Sequence, residues 1–145
     1  MITRDEGLKL VISMLTNPNL VKHCLAVEAI MRALALKFNE DPEEWGLVGL
    51  LHDADYEMSK NQPEKHGLLL FETEPDSIPK DIAHAIKAHN PDNGFCVLKV
   101  QCGCNRGCLV ALDASVQLNL VAGVILVQHL CVSAIASSVS KQTPV

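Results

Sequence analysis

The chain is short of positive charge. Twelve lysines and arginines stand against 17 aspartates and glutamates, a formal net charge of −5. No basic patch is visible along it. This argues against a binder of nucleic-acid backbone, which neutralises phosphates with clustered lysine and arginine. A small phosphorylated substrate is not excluded, because a bound metal ion supplies positive charge that a side-chain count misses. A secretory signal is also missing. Met1-Ile2-Thr3-Arg4-Asp5-Glu6 is polar and acidic, and no uninterrupted apolar stretch follows it, so a cytoplasmic location is expected. No apolar run reaches the ~20 residues that a membrane span needs. The longest clean run is Leu120 to Val127, and Asp113, Gln117, Asn119, Gln128 and His129 interrupt the apolar region around it. A buried helix pair is expected there, in preference to membrane association. No internal repeat is present. Of six cysteines only Cys24 lies in the histidine-rich half. Cytoplasmic thiols stay reduced, so no disulfide framework is expected. Cys96, Cys102, Cys104 and Cys108 read C-x5-C-x-C-x3-C, which fits no zinc-knuckle spacing well. They are expected as packed or free thiols.

What is present suits a folded protein. The length of 145 residues, with 48% hydrophobic and 20% charged residues, fits one domain over 1–145 with one sizeable core. The fold class is expected to be all-α. Arg4 to Leu15 puts Leu8, Leu10, Val11, Met14 and Leu15 on one face. Asn17-Pro18-Asn19 breaks that helix, and a longer second one follows from Leu20 to Lys37. Asp41-Pro42-Glu43-Glu44 is a strong start for a third, running to about His52. Asp41 can cap it, Pro42 suits the first turn, and the acids favour the positive dipole end. Asn61-Gln62-Pro63-Glu64 predicts a fourth helix through Phe71, and Ser77 to Asp81 opens a fifth to about His89. Asn90-Pro91-Asp92-Asn93-Gly94 reads as a turn. Composition then changes sharply. Beyond Arg106 only Asp113 and Lys141 carry formal charge, so 95–145 forms an atypical apolar, cysteine-containing segment.

The chemistry-bearing residues lie in the first part. His52 and Asp53 are two strong metal ligands side by side at the end of an apolar run, Gly49-Leu50-Leu51-His52-Asp53-Ala54-Asp55-Tyr56-Glu57. His23 lies upstream, and His66, His84 and His89 downstream. His23 sits within the second helix, His52 and Asp53 end the third, and His89 ends the fifth. Each is a place from which a helix can deliver a ligand into a bundle interior. Imidazole and carboxylate together suit a divalent metal such as Mn, Fe, Co, Ni or Zn. Such an ion with an open position brings the pKa of bound water to roughly 7 and polarises a phosphoryl oxygen. Blander readings exist for each residue. His52 and Asp53 also suit a helix C-terminus and its flank, and His23 a satisfied core histidine. Asp55, Tyr56 and Glu57 can orient water or substrate, or be exposed loop acids and their neighbour. Lys22 can meet phosphate or simply be solvated. His84 lies five residues before His89, off its helical face, and is expected at the surface or behind the ligands. His129 is assigned no role.

The order His23, then His52-Asp53, then a distal Asp resembles the HD superfamily of metal-dependent phosphohydrolases. Leu50 to Glu57, Val21-Lys22-His23-Cys24-Leu25-Ala26-Val27-Glu28 and Lys65-His66-Gly67 resemble its small bacterial HDIG-type members in particular. The resemblance covers about Met1 to Gly94. It implies an HD-domain bundle of five or more helices. It implies one or two divalent metals, Mg included, with His23, His52, Asp53 and a late Asp holding the first. His66 and His89 match positions that bind a second metal or substrate. His52, Asp53 and Asp55 are then the expected catalytic set, with Lys22 on phosphate. The implied activity is hydrolysis of a phosphomonoester or phosphodiester, nucleotides included. The alternative is a non-catalytic HD module that binds metal or nucleotide and regulates a partner. Asp113 is the only acid after Asp92 and is the expected fourth ligand, although Val110 to Asn119 differs from the family's usual helix there.

Overall fold

The computed structural model describes residues 2–73 and 77–95. The expectations for Asp113, the four clustered cysteines and the apolar segment beyond Phe95 lie outside the described residues. Those residues are helical, with no strand among them: α1 (Arg4–Met14), α2 (Pro18–Phe38), α3 (Pro42–Leu51), α4 (Tyr56–Ser59), α5 (Leu70–Thr73) and α6 (Lys80–Ala88), with 3-10 turns at Pro63–Lys65 and Pro91–Asn93. The all-α expectation holds. None of these helices is long and apolar enough to cross a membrane.

Local chemistry sets the boundaries. Thr3 and Glu6 form a reciprocal capping box at the start of α1, which satisfies two otherwise unpaired backbone groups. Asn17 accepts from the Asn19 amide at the start of α2, and Asn39 ends that helix in the left-handed region at φ 59°. Asp41 accepts from Glu43 N at 2.7 Å and Pro42 fills the first turn of α3, as the sequence leads one to expect.

α3 is the central strut. Trp45 through Leu51 are buried without interruption, the mark of a helix with no solvent face. It packs against α1, α2 and α6. Trp45, Val48, Leu50 and Leu51 are at most 1% exposed, each contributing about 1.5–3 kcal/mol of burial. The α2–α3 contact is close because of Gly49. A Cβ there would lie 2.9 Å from Met31 Cγ and 3.0 Å from the Glu28 backbone, so any larger residue would force the helices apart. That separation fixes how far His52 stands from His23. Glu28 itself is buried at 4% exposure and accepts from Arg4 Nε at 2.7 Å and Arg32 Nε at 3.0 Å. Arg32 also pairs with Glu43 at 2.6 Å, tying α1, α2 and α3 through two carboxylates and two guanidinium groups.

Two expectations need correction. The helix foreseen from residue 61 through Phe71 is broken. It consists of the Pro63–Lys65 turn, then Gly67 at φ +79°, then the short α5. Asp55 draws the Gly67 and Leu70 amides onto its carboxylate at 3.0 and 3.3 Å, which takes from the segment the donors a continuous helix would use. In addition, α4 forms where a loop was expected. Glu57 on α4 bonds the Thr16 amide and hydroxyl, fastening α4 to the α1–α2 connection.

Candidate metal centre

Three helices and one turn bring four histidines to one carboxylate. On α6, Ile82, Ala85 and Ile86 are buried, and His89 continues their stripe at the next i+3 position. His89 is 4% exposed. On α3, His52 follows Val48 and Leu51 into the core and is fully buried. His23 neighbours the buried Cys24–Val27 face of α2 and keeps 24% side-chain exposure. His66 arrives from the broken segment between α4 and α5.

Asp53 is the hub, and its two oxygens divide the imidazoles between them. Oδ2 faces His23 Nε2 at 3.3 Å and His52 Nε2 at 3.2 Å. Oδ1 faces His66 Nε2 at 3.1 Å and His89 Nε2 at 3.7 Å. Two triads result, His23–His52–Asp53 and Asp53–His66–His89, each with ligand atoms within 4.8 Å of one another. They share one carboxylate, the arrangement of a bridging ligand. The His66 and His89 ring centroids are 4.7 Å apart and those of His23 and His52 5.3 Å apart.

The outer nitrogens fix the tautomers. His52 Nδ1 donates to Gly49 O at 2.8 Å, His89 Nδ1 donates to Ile86 O, and His66 Nδ1 donates to Asp55 Oδ1 at 2.8 Å. A carbonyl or carboxylate oxygen can only accept, so Nδ1 carries hydrogen in each ring. In a neutral ring the Nε2 lone pair then points inward, toward Asp53 and the neighbouring rings, whereas in the ion-free protein the raised His66 carries a proton there. His89 Nε2 and His66 Nε2 lie 2.9 Å apart. His52 Nε2 is buried with no hydrogen bond, although Asp53 Oδ2 is near. Converging lone pairs around a carboxylate repel unless a cation or proton sits among them. The orphaned His52 nitrogen and the mixed imidazole–carboxylate donor set therefore fit a divalent metal, with backbone carbonyls and Asp55 orienting the ligands from behind.

The electrostatics agree. Burial works to raise the Asp53 carboxyl, but His52, His23 and His66 outweigh it and hold it well below its ordinary value. Burial works to lower the His66 imidazolium, yet Asp53 and Asp55 raise it to about 9. Burial lowers His89, with Asp53 opposing. Burial, aided by the Asp53 charge, pushes the Cys24 thiol up to about 12, so Cys24 is a poor thiolate ligand.

The structure brings together His23, His52, Asp53, His66 and His89. Asp113 lies outside the described residues. Asp55, grouped with the catalytic residues on sequence grounds, touches no other ligand than His66. It is 1% exposed, no exposed loop acid, and it orients His66 from behind. Tyr56 is exposed and sets its ring edge-on to His66 at 5.6 Å. Lys22 is exposed, one residue from His23. His84 is half-buried and faces Phe95 at 6.3 Å, away from the cluster. Sequence reasoning missed Asn90 and Asn93, whose only signal was membership of a turn.

The chain matches the HD domain family over residues 20–94, just over half its length. No curated protein and no solved structure matches it.

Proposed function

The chain belongs to the HD domain family, and on that premise we propose that it is a metal-dependent hydrolase of phosphomonoesters or phosphodiesters, nucleotides among them. One observation carries the reading: four imidazoles converge on the two oxygens of Asp53, with three outer nitrogens already tied back to acceptors. His23, His52 and Asp53 would hold the first divalent ion, with Asp113 as its fourth ligand. Asp53, His66 and His89 would hold a second ion or the substrate. The metal can be Mn, Fe, Co, Ni, Zn or Mg. Bound there, it supplies Lewis acidity toward a phosphoryl oxygen and brings water to a pKa of roughly 7.

The chain's own residues do the rest. Asp53 bridges the two halves and sets their separation. Gly49 O and Ile86 O keep His52 and His89 in the tautomer that presents Nε2. Asp55 holds His66 Nδ1–H, so His66 can carry a proton at Nε2 in the ion-free protein and surrender it to the site. Lys22, exposed and next to His23 in the chain, would meet a phosphate of the substrate. Burial of His52 and His89 excludes water from the back of the centre, which strengthens each charge interaction there. A screen of phosphomonoesters and diesters with Mn(II)-, Co(II)- or Ni(II)-loaded protein should find activity that chelation removes. Loaded protein inert on the whole panel would refute catalysis and leave a regulatory module that binds metal or nucleotide.

A further inference from the structure

The His66 turn has no long helix to hold it. It lies between a three-residue 3-10 turn and a four-residue helix, and Gly67 within it is left-handed at φ +79°. An isolated loop of this kind would sample many conformations. Two asparagines just past His89 close on it. Asn90 Nδ2 donates to Pro63 O at 2.8 Å and to His66 O at 3.1 Å. Asn93 Nδ2 donates to the same His66 O at 3.1 Å and to Lys87 O at 2.6 Å. Each side-chain amide has two N–H groups, and all four are spent on these three carbonyls. The His66 carbonyl thereby has both lone pairs filled. On the other side of the same peptide unit, Gly67 N donates to Asp55 Oδ1 at 3.0 Å. The His66–Gly67 peptide is thus gripped from both faces, and the grip comes from the segment that carries His89. Asn90 is only 8% exposed, so its amide has few water partners to exchange for these.

We propose that Asn90 and Asn93 are positioning residues for the Asp53–His66–His89 half of the centre, clamping the His66 turn to the end of α6 so that His66 Nε2 and His89 Nε2 meet at one ion. The proposal rests on the metal reading above. It assigns the asparagines no contact with the ion. Their remaining oxygens serve the turn itself, Asn90 accepting from Asp92 N and Asn93 from Phe95 N.

The test combines a metal titration with a measurement that needs no metal. Co(II) binding, followed by its visible absorption, is compared in the full chain, in Asn90→Ala/Asn93→Ala, in His66→Ala, and in the triple variant. Loss of the clamp should weaken Co(II) binding roughly 10–100-fold, the usual effect of removing a group that orients a ligand. In the His66→Ala background the same pair of substitutions should change it less than about twofold, because residues acting through one partner are not additive. Equal weakening in both backgrounds would overturn the proposal. Separately, in chelated protein, the Gly67 amide should exchange with solvent roughly tenfold faster or more once the clamp is gone. An unchanged Gly67 rate would overturn the proposal whatever the titration shows. If the full chain binds no Co(II), the metal reading fails by itself. The clamp then stands if Gly67 exchange accelerates and falls if it does not.

Discussion

Replacing Asp55 with alanine should be costly for a residue that lies beside the chemistry without touching most of it. Three donors meet its carboxylate: His66 Nδ1 at 2.8 Å, Gly67 N at 3.0 Å and Leu70 N at 3.3 Å. The first is a hydrogen bond between charged groups, worth about 1.5–3 kcal/mol, and each orphaned buried amide costs about 1–3 kcal/mol. Those figures would sum to more than the site loses, since the segment can relax and admit water. A net loss of about 3 kcal/mol is the working value, against a total stability of about 5–15 kcal/mol. For a domain of this size that is a fall in Tm of about 10 °C. The assay is thermal unfolding of chelated protein followed by circular dichroism, so that metal binding does not enter. The pH dependence is a second check. Burial works to raise the Asp55 carboxyl, but His66 and the Gly67 and Leu70 amides hold it below 3.8. Its contribution is therefore fully present above the unfolded value and is lost as pH falls through the folded one. His66 has the opposite sign: raised to about 9, it contributes fully below its unfolded value of about 6.5 and loses that contribution as pH rises toward 9. The Tm gap between native protein and Asp55→Ala should be widest near pH 5–6 and narrow on both sides. A gap under about 3 °C, or one independent of pH, would refute the assigned role.

Two further outcomes follow from the packing. Glu28→Gln should lower the urea midpoint by an amount equivalent to about 1–3 kcal/mol, because it removes the charge that Arg4 and Arg32 share; an unchanged midpoint would show that this network adds nothing to stability. Gly67→Ala should cost about 1–2 kcal/mol for its left-handed backbone. It should also weaken metal binding, since a Cβ there would stand 3.2 Å from His89 Cε1 and 3.1 Å from Ile86 O; metal affinity equal to that of native protein would contradict the close approach.

The parts of the fold that the sequence announces are those with strong local signals. Asp41-Pro42 starts α3 as its capping chemistry requires, and Asn17-Pro18 separates α1 from α2. α6 runs from Lys80 to Ala88, within a residue or two of expectation. The segment from 61 to 71 misleads because its donors are claimed from outside, by an aspartate 12 and 15 residues back in the chain. No local propensity encodes that. Asp55 misleads for the same reason. Its neighbours Tyr56 and Glu57 suggest an exposed loop, whereas its burial depends on where His66 returns. His23, His52, Asp53, His66 and His89 were legible as a set because the HD resemblance orders them. Their division into two triads on separate oxygens of Asp53 is a matter of three-dimensional placement that spacing does not carry. Asn90 and Asn93 look like ordinary turn residues, and only their four amide hydrogens, traced to particular carbonyls, set them apart.

The proposed metal centre requires Asp53 to join the four imidazoles. The direct measurement is elemental analysis of protein purified without chelator, native and Asp53→Ala side by side, with Asp92→Ala as a control on an exposed acid. Native protein and Asp92→Ala should carry a divalent transition metal in at least near-stoichiometric amount, and Asp53→Ala should lose most of it, because both triads lose their shared carboxylate at once. Equal metal content in native protein and Asp53→Ala would contradict the account.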